Sequence, residues 1–370
     1  MSTQQTTFEE WAAGAAMVVV MVGGLWQAAQ ALSSPQLSEV PHTWSDMRSG
    51  VSSDRLGKFL DNNLPIREDL IAWANAGRYV LTQGAGDQVR LGRGEWLFSV
   101  EELQYFPGAS GAQAERVRRV VAVAEGLRAK GIELLVVVVP DKARVHAAQL
   151  AGSAYPAWYA QRYPSLIQAL QSAGVSALDV LPTMVQQTAT EPLYYRTDTH
   201  WNQAGARLVA ELAARHMLAH GAVEPQATFS TVPDPSQSAP VERVGDLLNM
   251  MGLANMPNAL RPNPDMERAE RTLRTSANAS ASLLGDVSMP VTLVGTSYSQ
   301  RANFHGYLQA ALQAEVLNVA TDGGGFIQSL ASYLKDDAFV TAPPQWVVWE
   351  IPERVFSAPM SDAEQAPLGL

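Results

Sequence analysis

Short apolar runs alternate with amphipathic segments along most of the chain. The strongest run covers residues 132–140, and further runs lie at residues 175–181, 291–294, 314–319 and 346–351. These runs are mostly apolar and rich in β-branched residues, which is typical of strands buried on both faces. We therefore predict a buried strand at each of them.

Segments with apolar residues at helical spacing lie between these runs. Gly131 and Gly174 stand directly after two of the segments, where a helix often ends. We predict helices over residues 65–73, 112–130, 163–173, 202–219, 304–314 and 326–334, with a shorter one near residues 245–251. This alternation predicts an α/β fold, in which a mostly parallel sheet carries helices on both faces.

Three segments fit neither pattern. Residues 230–238 and 255–264 are rich in Pro, Asn and Ser and are predicted to be surface loops. Residues 92–98 are predicted to form a turn that enters a short strand.

The N-terminal residues 12–32 contain no charged side chain, and Trp11 and Trp26 stand near the two ends of this segment. A helix of about 20 apolar residues spans a bilayer, and Trp is a typical interfacial anchor. We predict an uncleaved signal anchor. A signal peptide that is cleaved after residues 29–31 is the alternative, and a plain buried helix is a third interpretation.

The remaining chain divides by composition. With residues 1–32 set apart as the signal segment, residues 33–54 are predicted to be a linker and residues 361–370 a tail. Residues 55–360 form the predicted domain, which is long enough to bury a sizeable core.

Charge and cysteine content exclude several kinds of function. The formal net charge is -10 and Lys and Arg are not clustered, which argues against a nucleic-acid partner. The sequence has no Cys, so disulfides, thiolate metal sites and a Cys nucleophile are excluded.

One predicted strand ends in Gly295, Thr296 and Ser297. A glycine at such a point permits the sharp turn that lifts a hydroxyl out of the end of a sheet. We interpret Ser297 as a candidate nucleophile, and an ordinary strand end is the alternative.

A second candidate segment contains Asp198 and His200, just before a predicted helix that Asn202 can cap. A serine nucleophile needs a histidine to take its proton and a carboxylate to orient that histidine. A structural histidine and a metal site are the alternatives, although no recognisable set of further metal ligands is present. His216 and His220 are interpreted as a solvated helix face.

Several segments together carry a family resemblance. They are Arg67 and residues 92–98, 138–143, 195–202, 295–299 and 349–354. In combination they resemble the alginate O-acetyltransferase family, whose AlgX-like and AlgJ-like members contain SGNH-hydrolase-like domains. The resemblance covers roughly residues 55–360.

The resemblance implies a fold and a catalytic triad. The fold is an SGNH-hydrolase-like α/β domain with a circularly permuted motif order, because the Asp198 and His200 pair precedes Ser297. The triad is Ser297, His200 and Asp198. The lack of a further carbohydrate-binding domain after the last strand favours the AlgJ-like type, with one N-terminal membrane helix.

The resemblance also implies a function and a location. The expected reaction is ping-pong transfer of acetyl groups to hydroxyls of an exported polysaccharide of the alginate or cellulose type. The expected partners are this polymer, a membrane-bound O-acyltransferase that supplies acetyl groups, and the membrane. The expected location is the periplasm, with an anchor in the bacterial inner membrane, and no cofactor or metal is expected.

Other residues near the triad are candidates for supporting roles. The Ser297 N–H and Asn303 are candidate oxyanion donors, with Tyr298 or Ser299 as substitutes, and Ser299 is also the rival nucleophile. Candidate sugar contacts, each with ordinary packing as the alternative, are Arg196, Trp201, Tyr298 and His305. Lys142 and residues 350–354 are interpreted as structural ion pairs at strand ends.

Two other functions stay open from the sequence. A carbohydrate acetylesterase uses the same triad and differs only in the acceptor that its site admits. A non-catalytic adaptor of a polysaccharide acetylation complex is the other alternative, although the intact triad residues weigh against it.

Overall fold

The computed structural model describes residues 22–27, 29–33, 37, 43–63, 67–150, 155–221, 223–277 and 289–365. Most of the predicted membrane segment, residues 12–21 together with residue 28, lies outside these ranges. Among the described residues, no helix has the length and apolar character needed to cross a bilayer.

The chain forms two compact units, Met1–Arg78 and Tyr79–Leu370. The second unit therefore begins later than the predicted domain boundary at residue 55. The boundary falls within one helix, Arg67–Thr82, which extends the helix predicted over residues 65–73.

The predicted linker over residues 33–54 contains helical structure from Trp44 onward. Helix α1 (Trp44–Ser49) and helix α2 (Val51–Asn63) occupy this stretch. The side chain of Thr43 caps α1 by accepting from the Asp46 N–H, and Gly50 ends it in the left-handed conformation with φ 81°. Local capping residues thus form a helix where composition indicated a linker.

The core of the second unit is a five-stranded parallel sheet. Its strands are β3 (Glu133–Val139), β4 (Ser176–Leu178), β9 (Val291–Val294), β10 (Val316–Asn318) and β11 (Trp346–Pro352). Their order is β10-β9-β11-β3-β4, and every neighbouring pair is parallel. All five predicted strands are present in the sheet, so the prediction of a parallel α/β core is confirmed.

Both faces of the sheet are covered by helices. The helices of the second unit, which begins inside α3 (Arg67–Thr82), are α4 (Ala109–Ala129), α5 (Lys142–Val145), α6 (Arg162–Ser172), α7 (Leu181–Gln187), α8 (Gln203–Ala219), α9 (Asp246–Met250), α10 (Ser297–Gln300), α11 (Phe304–Leu312), α12 (Gln328–Tyr333), α13 (Asp337–Thr341), α14 (Glu353–Ser357) and α15 (Asp362–Gln365). Along β3, Leu135 and Val137 pack in one apolar cluster with α8 and α11. Leu134 and Val136 pack in the other cluster with α4, α6 and α12. Alternate side chains of the strand thus point to opposite faces, as strand geometry requires.

Three antiparallel ribbons lie outside the central sheet. They are β1 (Val89–Leu91) with β2 (Leu97–Ser99), β5 (Ala227–Pro233) with β8 (Glu270–Ala277), and β6 (Val241–Arg243) with β7 (Asp265–Glu267). The loop predicted over residues 230–238 is therefore a strand up to Pro233. Its polar residues pair across the ribbon, where the hydroxyls of Thr231 and Thr272 are 2.8 Å apart.

The predicted tail, residues 361–370, is also partly structured. Glu364 lies in α15, and its carboxylate accepts from the buried guanidinium of Arg116 at 2.7 Å and 2.9 Å. Arg116 also donates to the carbonyls of Phe356, Ala358 and Pro359. The described part of this segment therefore docks on α4.

Candidate active site

Ser297 is the first residue of α10 and follows the end of β9 by three positions. Thr296 caps this short helix, because its hydroxyl accepts from the Tyr298 N–H at 3.4 Å. The parallel strands all run toward the edge of the sheet at which Ser297 lies. In open parallel sheets this carboxyl edge is where sites form.

Gly295 is required by the side chain that lies beneath this turn. Trp349 of β11 pairs with Val294 of β9, which places the next residue, Glu350, beside Gly295. A Cβ at Gly295 would come within 2.6 Å of the Glu350 carboxylate and of the Ser299 hydroxyl. Any larger residue would therefore displace the turn that presents Ser297.

The buried carboxylate of Glu350 holds both sides of the turn. It accepts from the Thr296 N–H at 2.8 Å and from the Thr296 hydroxyl at 3.0 Å. It also accepts from the Ser299 hydroxyl at 3.0 Å. Burial raises the pKa of Glu350 to about 6, and the three donors only partly offset this effect.

Asp198 and His200 lie on a buried loop before α8. The loop is closed by an isolated bridge between Tyr194 and Trp201, and Asn202 caps α8 by accepting from the Gly205 N–H at 3.0 Å. The predicted capping role of Asn202 is thus confirmed. Both Asp198 and His200 are almost completely buried.

The side chains of Asp198, His200 and Ser297 form one hydrogen-bonded chain. The His200 Nδ1 lies 2.6 Å from Asp198 Oδ1, and the His200 Nε2 lies 2.7 Å from the Ser297 hydroxyl. With the proton on Nδ1, His200 donates to Asp198 and accepts from Ser297. Asp198 Oδ1 also accepts from the His200 backbone N–H at 2.9 Å. This bond fixes the position of the carboxylate relative to the histidine.

Arg243 and Asp246, from the segment that joins β6 to α9, complete the surroundings of Asp198. Arg243 donates to Asp198 Oδ2 at 3.3 Å, and the Asp246 N–H donates to the same oxygen at 3.4 Å. Burial opposes the charged form of Asp198, but His200 and Arg243 outweigh it, so the pKa of Asp198 lies well below its ordinary value. Asp198 therefore stays ionised and orients the histidine.

Gly245 lets this segment reach the catalytic loop. A Cβ there would lie 2.0 Å from the Thr197 carbonyl oxygen and 2.7 Å from the Asp198 nitrogen. The neighbouring Asp246 carboxylate accepts from the Thr199 N–H at 2.7 Å and from the Thr199 hydroxyl at 2.5 Å. The two chain segments thus hold each other by backbone contact.

The ligand atoms of Asp198, His200 and Asp246 lie within 4.8 Å of one another, which raises the question of a metal ion. The donors are already engaged, because His200 Nδ1 faces Asp198 and the Asp246 carboxylate holds Thr199. The Arg243 guanidinium also lies beside Asp198, where it would repel a cation. The arrangement fits proton transfer to and from Ser297 better than metal binding.

Ser299, the rival nucleophile in the sequence, lies in a different environment. Its hydroxyl is completely buried and donates to Glu350. The structure places the Ser297 hydroxyl, rather than that of Ser299, against His200.

Two of the four residues predicted to contact sugar are buried in the core. Trp201 is completely buried, donates its indole N–H to the Tyr298 carbonyl at 3.2 Å, and packs on Phe304. Tyr298 is also buried, its hydroxyl donates to the Thr199 carbonyl at 2.7 Å, and its ring packs against His200. Both predictions are wrong, because these rings support the triad from behind and leave no face for a sugar.

The prediction that His305 contacts sugar is also wrong, because its ring lies far from Ser297. Its Nε2 lies 2.7 Å from the carbonyl oxygen of Val316, which pairs with Val291, the first residue of β9. Ser297 follows the last residue of β9, so the His305 ring lies toward the opposite edge of the sheet.

Arg196 remains accessible. Its side chain is 33% exposed and lines a cleft of about 480 Å³ together with Tyr195, Asn202, Asp265 and Glu267. Asp265 accepts from the backbone N–H groups of Arg196 and Thr197 at 2.9 Å and 3.0 Å. The cleft therefore adjoins the loop that carries the triad.

Asn303, the candidate oxyanion donor, faces away from Ser297. Its amide donates to the Thr272 hydroxyl on β8 at 3.2 Å, and its backbone is left-handed with φ 57°. The Ser297 N–H is at the first position of its helix and donates to no acceptor within the described part of the chain, so it stays the candidate oxyanion donor.

Lys142 is structural, but it is not part of an ion pair. Its buried Nζ donates to the carbonyls of Leu97, Arg196 and Asp198 at 2.6 Å, 2.8 Å and 2.9 Å. Burial lowers the pKa of the Lys142 ammonium to about 8. Glu350 likewise has hydroxyl and N–H donors rather than a cation, so the predicted strand-end ion pairs are wrong for both residues.

In the segment over residues 350–354, ion pairs form at Glu353 and Arg354. Glu353 pairs with Arg144 at 2.6 Å and with Arg162 at 2.9 Å, and Arg354 lies 3.5 Å from Glu101. Arg354 also donates to the Tyr298 hydroxyl at 3.2 Å.

Sequence reasoning missed Arg243, Asp246, Asp265 and the role of Glu350. None of them lies in a recognisable motif. Gly245 before Asp246 was the one local signal, because a glycine that precedes a short helix marks a close approach of two backbones.

Known proteins resemble this chain over the part that contains the candidate site. A family model described as an SGNH hydrolase-like domain of the acetyltransferase AlgX matches residues 89–353. This range includes the three residues of the hydrogen-bonded chain.

Several curated relatives are named as alginate O-acetylases. The chain is 36% identical over 290 residues to a Pseudomonas putida protein named "Probable alginate O-acetylase AlgJ", which covers 76% of this chain and 73% of the relative. It is 32% identical over 307 residues to the protein of the same name from Pseudomonas aeruginosa, with 80% and 77% covered.

Solved structures show the same fold. The O-acetyltransferase domain of Pseudomonas putida AlgJ is 33% identical, with a TM-score of 0.66 over 75% of this chain and 95% of that domain. Pseudomonas aeruginosa AlgX is 26% identical, with a TM-score of 0.56 over 71% of this chain and 62% of that protein.

Proposed function

The chain belongs to the alginate O-acetyltransferase family and is an acetyltransferase, and from this premise we propose that Ser297, His200 and Asp198 pass acetyl groups to hydroxyls of an exported polysaccharide. The observation that supports this most strongly is the continuous hydrogen-bonded chain from Asp198 through His200 to the Ser297 hydroxyl. A serine held in this way is the arrangement that acyl transfer requires.

The first half of the reaction loads the enzyme. The Ser297 oxygen attacks the carbonyl carbon of an acetyl donor, and His200 Nε2 takes the serine proton. The bond from the acetyl carbon to the leaving group then breaks, and His200 returns the proton to that group. Asp198 stabilises the imidazolium in between, since it stays ionised beside Arg243.

The second half unloads the enzyme. A sugar hydroxyl gives its proton to His200 as its oxygen attacks the acetyl carbon on Ser297. The ester bond to Ser297 breaks, and the serine oxygen recovers the proton from His200. The developing oxyanion in both halves is stabilised by the Ser297 N–H, while Asn303 would first have to leave Thr272.

The acceptor is a polysaccharide of the alginate or cellulose type. Relatives named as alginate O-acetylases support the alginate type, and the cellulose type is the second candidate. We place the enzyme in the periplasm, attached to the inner membrane by residues 1–32, with a membrane-bound O-acyltransferase as the acetyl source. N-terminal sequencing of the membrane-extracted protein tests the anchor, because a start near Leu32 would mean a cleaved signal peptide.

Mass spectrometry of the full chain after incubation with an activated acetyl ester tests the nucleophile. We expect one acetyl group on Ser297, no adduct in Ser297→Ala, and an adduct still present in Ser299→Ala. Ser299 is the matched control because it lies in the same short helix but bonds to Glu350. An adduct that survives Ser297→Ala and disappears in Ser299→Ala would overturn the assignment.

The same incubation separates the alternative functions. A carbohydrate acetylesterase would form the adduct and release acetate without acetylating an oligosaccharide. A non-catalytic adaptor would form no adduct at all.

A further inference from the structure

A second groove lies apart from the triad, between the N-terminal halves of α4 and α6. Its volume is about 610 Å³, and its lining includes Ser110 and Gln113 of α4 and Ser165 and Ala169 of α6. Its rim carries Tyr105 and Trp158. No step of the acetyl transfer described above uses these residues.

The groove opens at the same edge of the sheet as Ser297. Helix α4 leads back into β3 and therefore runs antiparallel to it, so its N-terminal end lies at the carboxyl edge of the strands. At the groove, Arg162 donates to Glu353, the residue that directly follows β11. A long polymer can therefore reach both the groove and the nucleophile turn along one edge.

Two aromatic rings at the rim face water. Tyr105 is 59% exposed and Trp158 is 58% exposed, and their centroids lie 6.3 Å apart at an interplanar angle of 85°. Large aromatic surface left in water is unfavourable, so an exposed pair on a concave surface is typical of a binding site. Flat aromatic faces bordered by hydrogen-bonding groups suit pyranose rings, whose faces are apolar and whose edges carry hydroxyls.

The polar lining of the groove is uncharged. Hydroxyls and amides come from Ser110, Gln113, Gln161 and Ser165, and the Gln113 amide lies 3.4 Å from the Ser165 hydroxyl. Arg162 is the one charged residue among the described lining residues. Its guanidinium is buried and already serves Asp141, Glu353 and the Ser357 hydroxyl.

This electrostatic character discriminates among polymers. A polyanion needs free cationic groups, and the groove offers none among its described residues, while the whole chain carries a net charge of -10. Hydroxyl and amide groups beside aromatic faces instead match a neutral saccharide. The groove therefore fits an uncharged glycan better than a polyuronate.

We propose that the Tyr105 and Trp158 groove is a second saccharide-binding site, which holds an uncharged pyranose segment of the acceptor polymer while Ser297 acts on another part. The existence of the site is independent of the triad, but its purpose rests on the proposed function. It favours a neutral, cellulose-type acceptor over a polyuronate.

Isothermal titration calorimetry of the full chain tests the site, with cellohexaose as the neutral probe and a hexauronate as the charged one. We expect cellohexaose to bind more tightly than the hexauronate. Trp158→Ala and Tyr105→Ala should each weaken cellohexaose binding at least tenfold, whereas Trp158→Phe should retain most of it. Trp73→Ala is the matched control, since Trp73 is 59% exposed on another helix. The affinity of this variant for cellohexaose should stay within twofold of wild type.

Three results would overturn the proposal. They are tighter binding of the hexauronate than of cellohexaose, unchanged cellohexaose affinity in both Trp158→Ala and Tyr105→Ala, and no binding of cellohexaose to the wild type. Because both rings are exposed, equal melting temperatures of variants and wild type establish that lost binding is not lost folding.

Acetylation of Ser297 by a small activated ester separates this proposal from the proposed function. If cellohexaose binds through Trp158 but Ser297 is never acetylated, the groove stands and the acetyl relay fails. If Ser297 is acetylated but cellohexaose binding does not depend on the two rings, the relay stands and the groove fails.

Discussion

Glu350 is the residue whose environment departs most from what its position in a strand would indicate. It lies near the carboxyl end of the otherwise apolar strand β11, is completely buried, and accepts hydrogen bonds from donors on both sides of Ser297. Its carboxylate therefore fixes the nucleophile turn, although it touches no reacting atom.

The raised pKa of Glu350 makes part of the folding stability depend on pH. The pKa is about 6 in the folded protein against an ordinary value of 4.5, so the folded state holds the proton more tightly than the unfolded state. The resulting stabilisation is fully present below about pH 4.5 and is lost as the pH rises through 6. The shift corresponds to about 2 kcal/mol.

Glu350→Gln removes this dependence. Relative to wild type, we expect the free energy of unfolding of the variant to rise by about 2 kcal/mol between pH 4 and pH 7.5. Urea unfolding at the two pH values measures it. Glu133→Gln, at the exposed start of β3, reports the effect of the substitution itself. If the free energies of unfolding of Glu350→Gln and wild type differ by the same amount at both pH values, Glu350 does not titrate in this way.

For several other residues, the residue type did not reveal whether the side chain is exposed or buried. Trp201, Tyr298 and His305 have side chains suited to sugar binding, but whether a ring faces solvent or the core depends on contacts between distant segments. The partners that decide this are Phe304 for Trp201, the Thr199 carbonyl for Tyr298 and the Val316 carbonyl for His305. Ser297, His200 and Asp198 were identifiable because their chemistry and chain positions matched a known pattern, and the structure brings them into one hydrogen-bonded chain.

Among the elements, the parallel strands were predictable and the polar ribbons were not. A strand buried on both faces, such as β3 (Glu133–Val139), is apolar from its second residue onward and can be recognised from local sequence. The ribbon of β5 and β8 is polar, and its strands are stabilised by pairing with each other across a long stretch of chain. Local composition therefore indicated a loop for part of β5.

The contact of α4 with α15 gives a test at the level of elements. Arg116 and Glu364 have side chains that are 1% and 7% exposed, and three backbone carbonyls share the same guanidinium. Arg116→Met would leave a carboxylate and these carbonyls without their donor. We expect the free energy of unfolding to fall by about 3–5 kcal/mol.

Arg118→Met is the matched control for this loss. Arg118 lies two positions away on the same helix, and its side chain is 69% exposed beside Glu115. Its removal should change stability by less than about 1 kcal/mol. Urea unfolding of both variants decides the question, and equal losses would mean that α15 is not anchored through Arg116.

At the scale of the whole molecule, the sheet brings together residues that are far apart in the chain. Ser297 follows β9, Glu350 lies in β11, and Lys142 after β3 holds the carbonyls of Arg196 and Asp198. The permuted order, with Asp198 and His200 ahead of Ser297, is compatible with this geometry because all three meet at one edge. The sequence could predict the edge from the alternation of elements, but not Arg243 or Asp246, which reach it from β6 and from the start of α9.

The most direct test of acetyl transfer through Ser297 is to follow the acetyl group after it has been loaded on this residue. The full chain is acetylated with an activated ester, freed of excess donor, and mixed with an oligosaccharide acceptor, and quenched samples are read by mass spectrometry. We predict that acetyl leaves Ser297 faster as the acceptor concentration rises and appears on the oligosaccharide in excess over free acetate. Loss of acetyl at a rate independent of the oligosaccharide, with acetate as the sole product, would contradict the proposed transferase.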